Sequence, residues 1–283
     1  MDELNPRMVK SIQSALDHYS AETGYKDLRI GKQYSSGKRG YCFEINSLYS
    51  RQLVAKVPRH TTASELAVFQ REYSALQAAA SVKAKWIPRV RWYEPADVGR
   101  EPVMLLDHMP GQSIRSVIGS SKHKLTIAFR TNEVLMLLRY TMEALAPFHQ
   151  TGWIHGDLSP SNVMIVRNSQ SRLVGVSLID FGSSRRIGDL YGARVFGTDG
   201  YYAPWLTDEG RKANVGDDMY SLACLAYAYS TSSPPTRDSE GNLDEKSLKK
   251  IMSSSLRAVV KSLSEGKRHE LLDATAYADN GTP

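Results

Sequence analysis

The pattern of apolar residues changes once, near Pro110-Gly111, and this change constrains the fold more than any other feature of the chain. Before it, apolar residues come in short β-like runs at 41–45 and 52–57, set apart by Gly and Ser. Residues 88–93 and 103–106 read as two further strands. One helix interrupts them over 64–80, with Leu66, Phe69, Tyr73 and Leu76 at helical spacing. An earlier helix starts at Asn5-Pro6, aligns Met8, Ile12, Leu16 and Tyr19 on one face, and ends near Gly24. After the change the pattern is mostly helical. Residues 133–150 form an amphipathic helix through Leu135, Leu138, Met142, Leu145 and Phe148. Helices are also expected over 218–230 and 248–263, with short apolar pieces at 163–166 and 173–179. The expectation is an α+β chain of two lobes with a hinge at 107–111. A helical extension (1–27) precedes a small sheet lobe (28–109), a mostly helical lobe (110–273) and a polar tail (274–283).

Composition excludes several classes. With 283 residues, 41% hydrophobic and 23% charged, the chain is neither disordered nor fibrous. Its two cysteines, Cys42 and Cys224, form no CxxC motif, which argues against a disulfide scaffold and a structural zinc module. No basic segment leads into an apolar run at the start, so no signal peptide is expected. The longest apolar stretch, 222–229, is far short of the ~20 residues that span a bilayer. These features predict an intracellular, cytoplasmic protein of a reducing compartment. The net charge of +6 suits an acidic partner, a phosphate-bearing ligand or nucleic acid without choosing among them. Its basic residues are scattered, so nucleic acid is not indicated.

The chemistry is concentrated in His155-Gly156-Asp157-Leu158-Ser159-Pro160-Ser161-Asn162, followed by Leu178-Ile179-Asp180-Phe181-Gly182. Asp157 and Asn162 stand five apart on one turn and Asp180 on the next. Phosphoryl transfer needs that set: a carboxylate to orient a hydroxyl, and hard oxygens for Mg²⁺. Either motif alone could be a turn with capping side chains, but both in order make that reading improbable. Here the chain resembles the protein kinase superfamily, at its catalytic loop and its DFG metal loop. The resemblance implies a bilobal kinase-like fold, with ATP and Mg²⁺ as cofactors and Asn162 and Asp180 as metal ligands.

It extends in both directions. Ser35-Ser36-Gly37-Lys38-Arg39-Gly40-Tyr41-Cys42 resembles a glycine-rich phosphate loop, with Gly37 and Gly40 in place and Ser35 replacing the first glycine. Val54-Ala55-Lys56 resembles the strand whose lysine binds phosphates. The partner of Lys56 is expected to be Glu72, favoured over Glu65 because Leu76 supplies the next apolar contact. Residues 103–111 resemble the segment that binds adenine, with Leu106 as gatekeeper and Asp107 and Met109 offering backbone contacts. Cys42 and Val54 would cover the base on one side and Met164 on the other. Residues 197–204 resemble the end of an activation segment, with Thr198 touching the catalytic Asp157, and Asp218 resembles the aspartate that braces the catalytic loop.

Three positions depart from the family pattern. Gly156 stands where many kinases have Arg, Ser159 where Ser/Thr kinases carry a catalytic Lys, and Trp205 where an APE motif ends in Glu. HGD with small neighbours also resembles aminoglycoside and choline phosphotransferases and RIO-type and vaccinia-related kinases. Three functions follow: a Ser/Thr protein kinase, a small-molecule phosphotransferase, or a catalytically silent kinase-like binding module. The first is favoured, because residues 197–204 resemble a peptide platform and every ligating position holds a competent residue. The implied partner is a protein substrate; Arg185, Arg186 and Arg194 either attract an acidic or phosphorylated one or merely solvate the loop. Gly156 has no side chain to receive a loop phosphate, so activity is expected without phosphorylation at Ser183, Ser184 or Tyr191.

Overall fold

In the computed structural model, residues 5–34, 40–47, 52–119, 127–191, 197–240 and 242–267 are described. Ser35, Gly37, Arg194 and the tail 274–283 lie outside them. The chain divides into two compact units, 1–109 and 110–283.

The first unit begins with α1 (Pro6–Thr23), capped by the Asn5 side chain and closed by Gly24 in the left-handed conformation. Five antiparallel strands follow: β1 (Arg29–Gln33), β2 (Gly40–Asn46), β3 (Leu53–Pro58), β4 (Val90–Glu94) and β5 (Val103–Asp107). They are ordered β1-β2-β3-β5-β4, and helix α2 (Ala63–Ser81) intervenes between β3 and β4.

Strand alternation gives this sheet two different faces. Phe43, Ile45, Leu53, Ala55, Val57, Val103 and Leu105 point one way and are buried with Met8, Ile12, Ala15, Leu16 and Tyr19 of α1. The register pairs Cys42 with Lys56, Lys56 with Met104 and Val54 with Leu106 on the opposite face. The helix expected as an extension is therefore part of the first unit's core. Gly40 is required where β2 meets β3, since a Cβ there would come within 2.6 Å of the Val57 carbonyl oxygen.

The second unit opens with β6 (Gln112–Ser113), α3 (Ile114–Gly119) and the long α4 (Ile127–Gln150). Strands β7 (Trp153–Ile154), β8 (Val163–Arg167), β9 (Leu173–Leu178) and β10 (Arg185–Arg186) follow. They form two small sheets, β6-β8-β9 and β10-β7. After a 3₁₀ turn (Pro204–Thr207) come α5 (Val215–Thr231), α6 (Glu245–Lys250) and α7 (Ser254–Ser264). Helix α5 is buried nearly all round, from Asp217 to Tyr229, and is the axis of the unit.

The helix expected over 248–263 is in fact two. Ser253 accepts a hydrogen bond from the Leu256 N–H at 3.2 Å and so starts α7, while α6 ends before it in extended backbone at Ile251.

Ile12 is fully buried against the sheet, whereas Gln13 is exposed. Ile12→Ala should cost about 3 kcal/mol, and Gln13→Ala should stay within ~0.5 kcal/mol of the parent. Urea denaturation of the two variants checks whether α1 belongs to the cooperative core.

Candidate active site

Alternation along β3 puts Lys56 on the face turned away from α1. On α2 the buried positions are Phe69, Glu72, Ala75, Leu76 and Ala79, so Glu72 is an acid set in an apolar stripe. The two charges meet, with Lys56 Nζ donating to Glu72 Oε1 at 2.5 Å, and both side chains are at least nine-tenths buried. A buried carboxylate is tolerated there because a cation is held against it. Glu65 is instead in the first turn of α2, where its side chain accepts from Thr62 Oγ1 at 3.3 Å. Of the two glutamates, Glu72 is the partner of Lys56.

Cys42 and Val54 lie half-buried on the Lys56 face. Asp107 ends β5 with its carboxylate held by Arg91 through two hydrogen bonds of 2.7 Å, and its N–H donates to the Arg89 carbonyl. Met109, half-buried, closes the first unit. In the second unit Met164 sits half-buried on β8, paired with Ser113 and Ser177.

The second unit builds the turn at 155–162 around a buried carboxylate. Asp218, in the first turn of α5, is fully buried. Its Oδ2 accepts from the His155 N–H at 2.8 Å and pairs with His149 Nε2 at 2.8 Å, while Oδ1 accepts from the Gly156 N–H at 2.9 Å. Burial alone would raise its pKa, but His149, His155 and the Gly156 N–H together hold it below the ordinary carboxylate value.

Gly156 has φ +74°, and a Cβ there would approach the Ser183 carbonyl oxygen to 2.6 Å. The arginine common at this position is thus excluded by backbone as well as absent.

Beyond this brace, Asp157 Oδ1 accepts from both the N–H and Oγ1 of Thr198, each at 2.8 Å. Asn162 Nδ2 donates to the Asp157 carbonyl at 2.9 Å and to Asp157 Oδ2 at 3.1 Å. Burial raises the pKa of Asp157, and nearby Asp180 adds to the rise; Thr198 and His155 oppose it. Asp180 itself is exposed on a left-handed backbone, φ +62°.

Asp157, Asn162 and Thr198 are therefore brought together. Ser159 is fully buried, and among the described residues its Oγ has no hydrogen-bond partner. It stays apart from the Asp157 contacts.

Arg185 does not have the surface position expected of it, whereas Arg186 is exposed. Pairing of β10 with β7 turns Arg185 inward, where it is buried and its guanidinium lies 4.9 Å from the Tyr191 ring centre. Arg186 lies over the Trp153 ring at 5.0 Å. Ser183 and Ser184, expected as candidate acceptors, are both buried. A sequence pattern cannot reveal this, because a two-residue strand acquires its partner only in the folded chain.

A family model described as a protein kinase domain matches residues 29–275. The chain belongs to this family. It is 29% identical over 226 residues to a probable serine/threonine-protein kinase, SCO3848, of Streptomyces coelicolor, covering 73% of this chain and 31% of that protein. It is 28% identical over 192 residues to the serine/threonine-protein kinase PknB of Mycolicibacterium smegmatis, covering 65% and 29% respectively. This kinase domain thus spans less than a third of the relatives it matches. Among solved structures, the Cydia pomonella granulovirus kinase PK-1 shares the fold, with a TM-score of 0.65 and 14% identity over 92% of this chain and 96% of that one. Helix α1 precedes the family match. Asp217 and His149 are site residues that the motifs did not reveal; an Asn214–Asp217 capping box was the only sequence signal for Asp217.

Because the folded-state pKa of Asp218 is lowered, its stabilisation is fully present above the ordinary carboxylate value of 3.8 and is lost as pH falls through the lowered value. Asp218→Asn should cost about 3 kcal/mol at pH 7, since it unpairs buried donors. It should also flatten the acid limb of a stability-versus-pH curve measured by denaturant titration.

Proposed function

We propose that this domain transfers the γ-phosphate of ATP to Ser or Thr hydroxyls of a protein substrate. The observation that carries the reading is Asp157, a half-buried carboxylate held by Thr198 on one oxygen and Asn162 on the other. Held this way, Asp157 orients the acceptor hydroxyl and takes its proton as the oxygen attacks. Its raised pKa makes it a better proton acceptor than an exposed aspartate. The relatives' printed names, serine/threonine-protein kinases, support the acceptor type.

In the first unit, Lys56 supplies a positive charge for the α- and β-phosphates, and Glu72 fixes where that charge stands. Cys42, Val54, Leu106 and Met109, with backbone groups of Asp107, are the first-unit residues we assign to adenine, and Ser35, Gly37 and Gly40 to the phosphates; Met164 of the second unit keeps the adenine role that the resemblance implies.

The donor set in the second unit fits Mg²⁺. Asn162 has its amide nitrogen tied to Asp157, which leaves its Oδ1 as the free end, and Asp180 offers an exposed carboxylate. Among the described residues no cluster of three or more His, Cys, Asp or Glu forms a closed metal cage. Two hard protein oxygens, completed by phosphate oxygens and water, are the usual Mg²⁺ arrangement. When bound, the ion would neutralise charge developing on the transferred phosphoryl group.

Ser159 offers no cation to the γ-phosphate; Lys56 is the basic side chain we assign to the phosphates, and Asn162 and Asp180 would hold the ion that neutralises further charge. We propose a cytoplasmic setting, where ATP and Mg²⁺ are supplied together. Among the described residues no helix is long and apolar enough to cross a membrane.

Incubation with labelled ATP, Mg²⁺, mixed peptides and metabolite acceptors tests the assignment. Label on Ser or Thr of protein supports it; label confined to metabolites, or nucleotide binding without turnover, contradicts it. Asp157→Asn should lower kcat at least ~10²-fold with nucleotide affinity little changed. Asp180→Asn should instead weaken Mg²⁺-dependent nucleotide binding, and Lys56→Ala should reduce transfer more than Glu72→Gln. Near-parental turnover in Asp157→Asn would remove that residue from the chemistry.

A further inference from the structure

Two distant parts of the segment between Asp180 and α5 converge on one side chain. Asp217, in the first turn of α5, is 2% exposed. Its Oδ2 accepts from the Tyr191 hydroxyl and from the Asn214 N–H, each at 2.9 Å. Its Oδ1 accepts from Trp205 Nε1 at 2.8 Å, and Arg211 Nη2 lies 3.5 Å away. Arg211 also covers the Trp205 ring at 5.6 Å, and that ring meets Tyr220 edge-on at 5.4 Å. Backbone bonds reinforce the upstream end, from Gly188 N to the Ala213 carbonyl and from Tyr191 N to the Arg211 carbonyl.

Trp205 stands where the resemblance calls for a glutamate. The indole N–H is a donor where an acceptor is expected, so the carboxylate must come from elsewhere, and Asp217 brings it. Tyr191 and Trp205 are thereby fixed to the same carboxylate, and Thr198, which occupies Asp157 Oδ1, lies between them in the chain.

We infer that Asp217 is a positioning residue for phosphoryl transfer: by fixing Trp205 it anchors the 197–205 run that carries Thr198, holding Thr198 on Asp157, and the same carboxylate fixes Tyr191. Anchoring one end of a run lowers the entropy lost when the neighbouring residues are seated. Residue 156 offers no side chain to a loop phosphate, because it is glycine and the path a side chain would take is closed by the Ser183 carbonyl. The inference rests on the phosphotransferase reading above.

The test compares the full-length parent with Asp217→Asn, Asp217→Glu, Tyr191→Phe and Trp205→Phe, none of them phosphorylated. Asp217→Asn should lower kcat by ~10-fold and each single donor loss by ~3-fold, with the KM for ATP within about twofold. Asp217→Glu, which keeps the carboxylate, should retain more activity than Asp217→Asn. The Thr198 amide should exchange with solvent at least ~10-fold faster in Asp217→Asn.

A purely structural role would lower the melting temperature and the fraction of molecules binding nucleotide. It would leave kcat per binding molecule and Thr198 exchange at parental values, and that result would overturn the inference. If Asp217→Asn does not fold, the Tyr191→Phe/Trp205→Phe double variant carries the same test. Should the parent transfer phosphate to no acceptor, the proposed function fails, and Thr198 exchange alone then decides whether Asp217 pins the loop.

Discussion

The catalytic turn depends on a carboxylate that never meets solvent. Asp218 is surrounded by three donors, two of them consecutive backbone N–H groups at His155 and Gly156. Two adjacent amides can point at one side chain only where the chain bends sharply, and Gly156 permits that bend with its positive φ. Remove the carboxylate and these N–H groups are buried without partners, so the turn loses its reason to keep its shape. The orientation of Asp157, one residue further on, inherits this constraint.

Asp217 and Asp218 are neighbours in the first turn of α5, where the helix dipole favours negative charge. One faces Tyr191, Trp205 and Arg211; the other faces His149, His155 and Gly156. Burying two successive carboxylates would be prohibitive without several donors for each. A single helical turn therefore supports two different loops, and α5 can do so because the rest of it, from Met219 to Tyr229, is packed on every side.

Much of this was legible from residue order alone, and the exceptions share a physical cause. The strand around Lys56 and the helical stripe through Glu72 are local periodicities, while their partnership was read from the kinase resemblance. Asp157, Asn162 and Asp180 lie on turns whose residue types state their chemistry. Asp217 was illegible as an anchor because its partners are 26 and 12 positions away and include an unexpected tryptophan. The inward turn of Arg185 depends on a two-residue strand pair. At 248–263 the apolar spacing favoured one helix, but a capping serine competed for the backbone and won. Helix α1 was recognised as a helix, while its place against the sheet needed contacts spanning most of the first unit.

Those contacts impose an order on biosynthesis. Ser11 of α1 accepts a hydrogen bond from the Glu101 N–H, 90 positions later, and the sheet face that buries Ile12 and Leu16 includes Val103 and Leu105 of β5. Helix α1 is translated before β5, and its binding surface is complete only once β5 has left the ribosome. At synthesis rates of ~5–20 residues per second, that gap is roughly 5–20 s. An isolated helix of this length is marginal in water, so the nascent segment carries an exposed apolar stripe throughout the interval. Within its unit, α1 thus shares with β4, which pairs only with β5, a dependence on the strand made last.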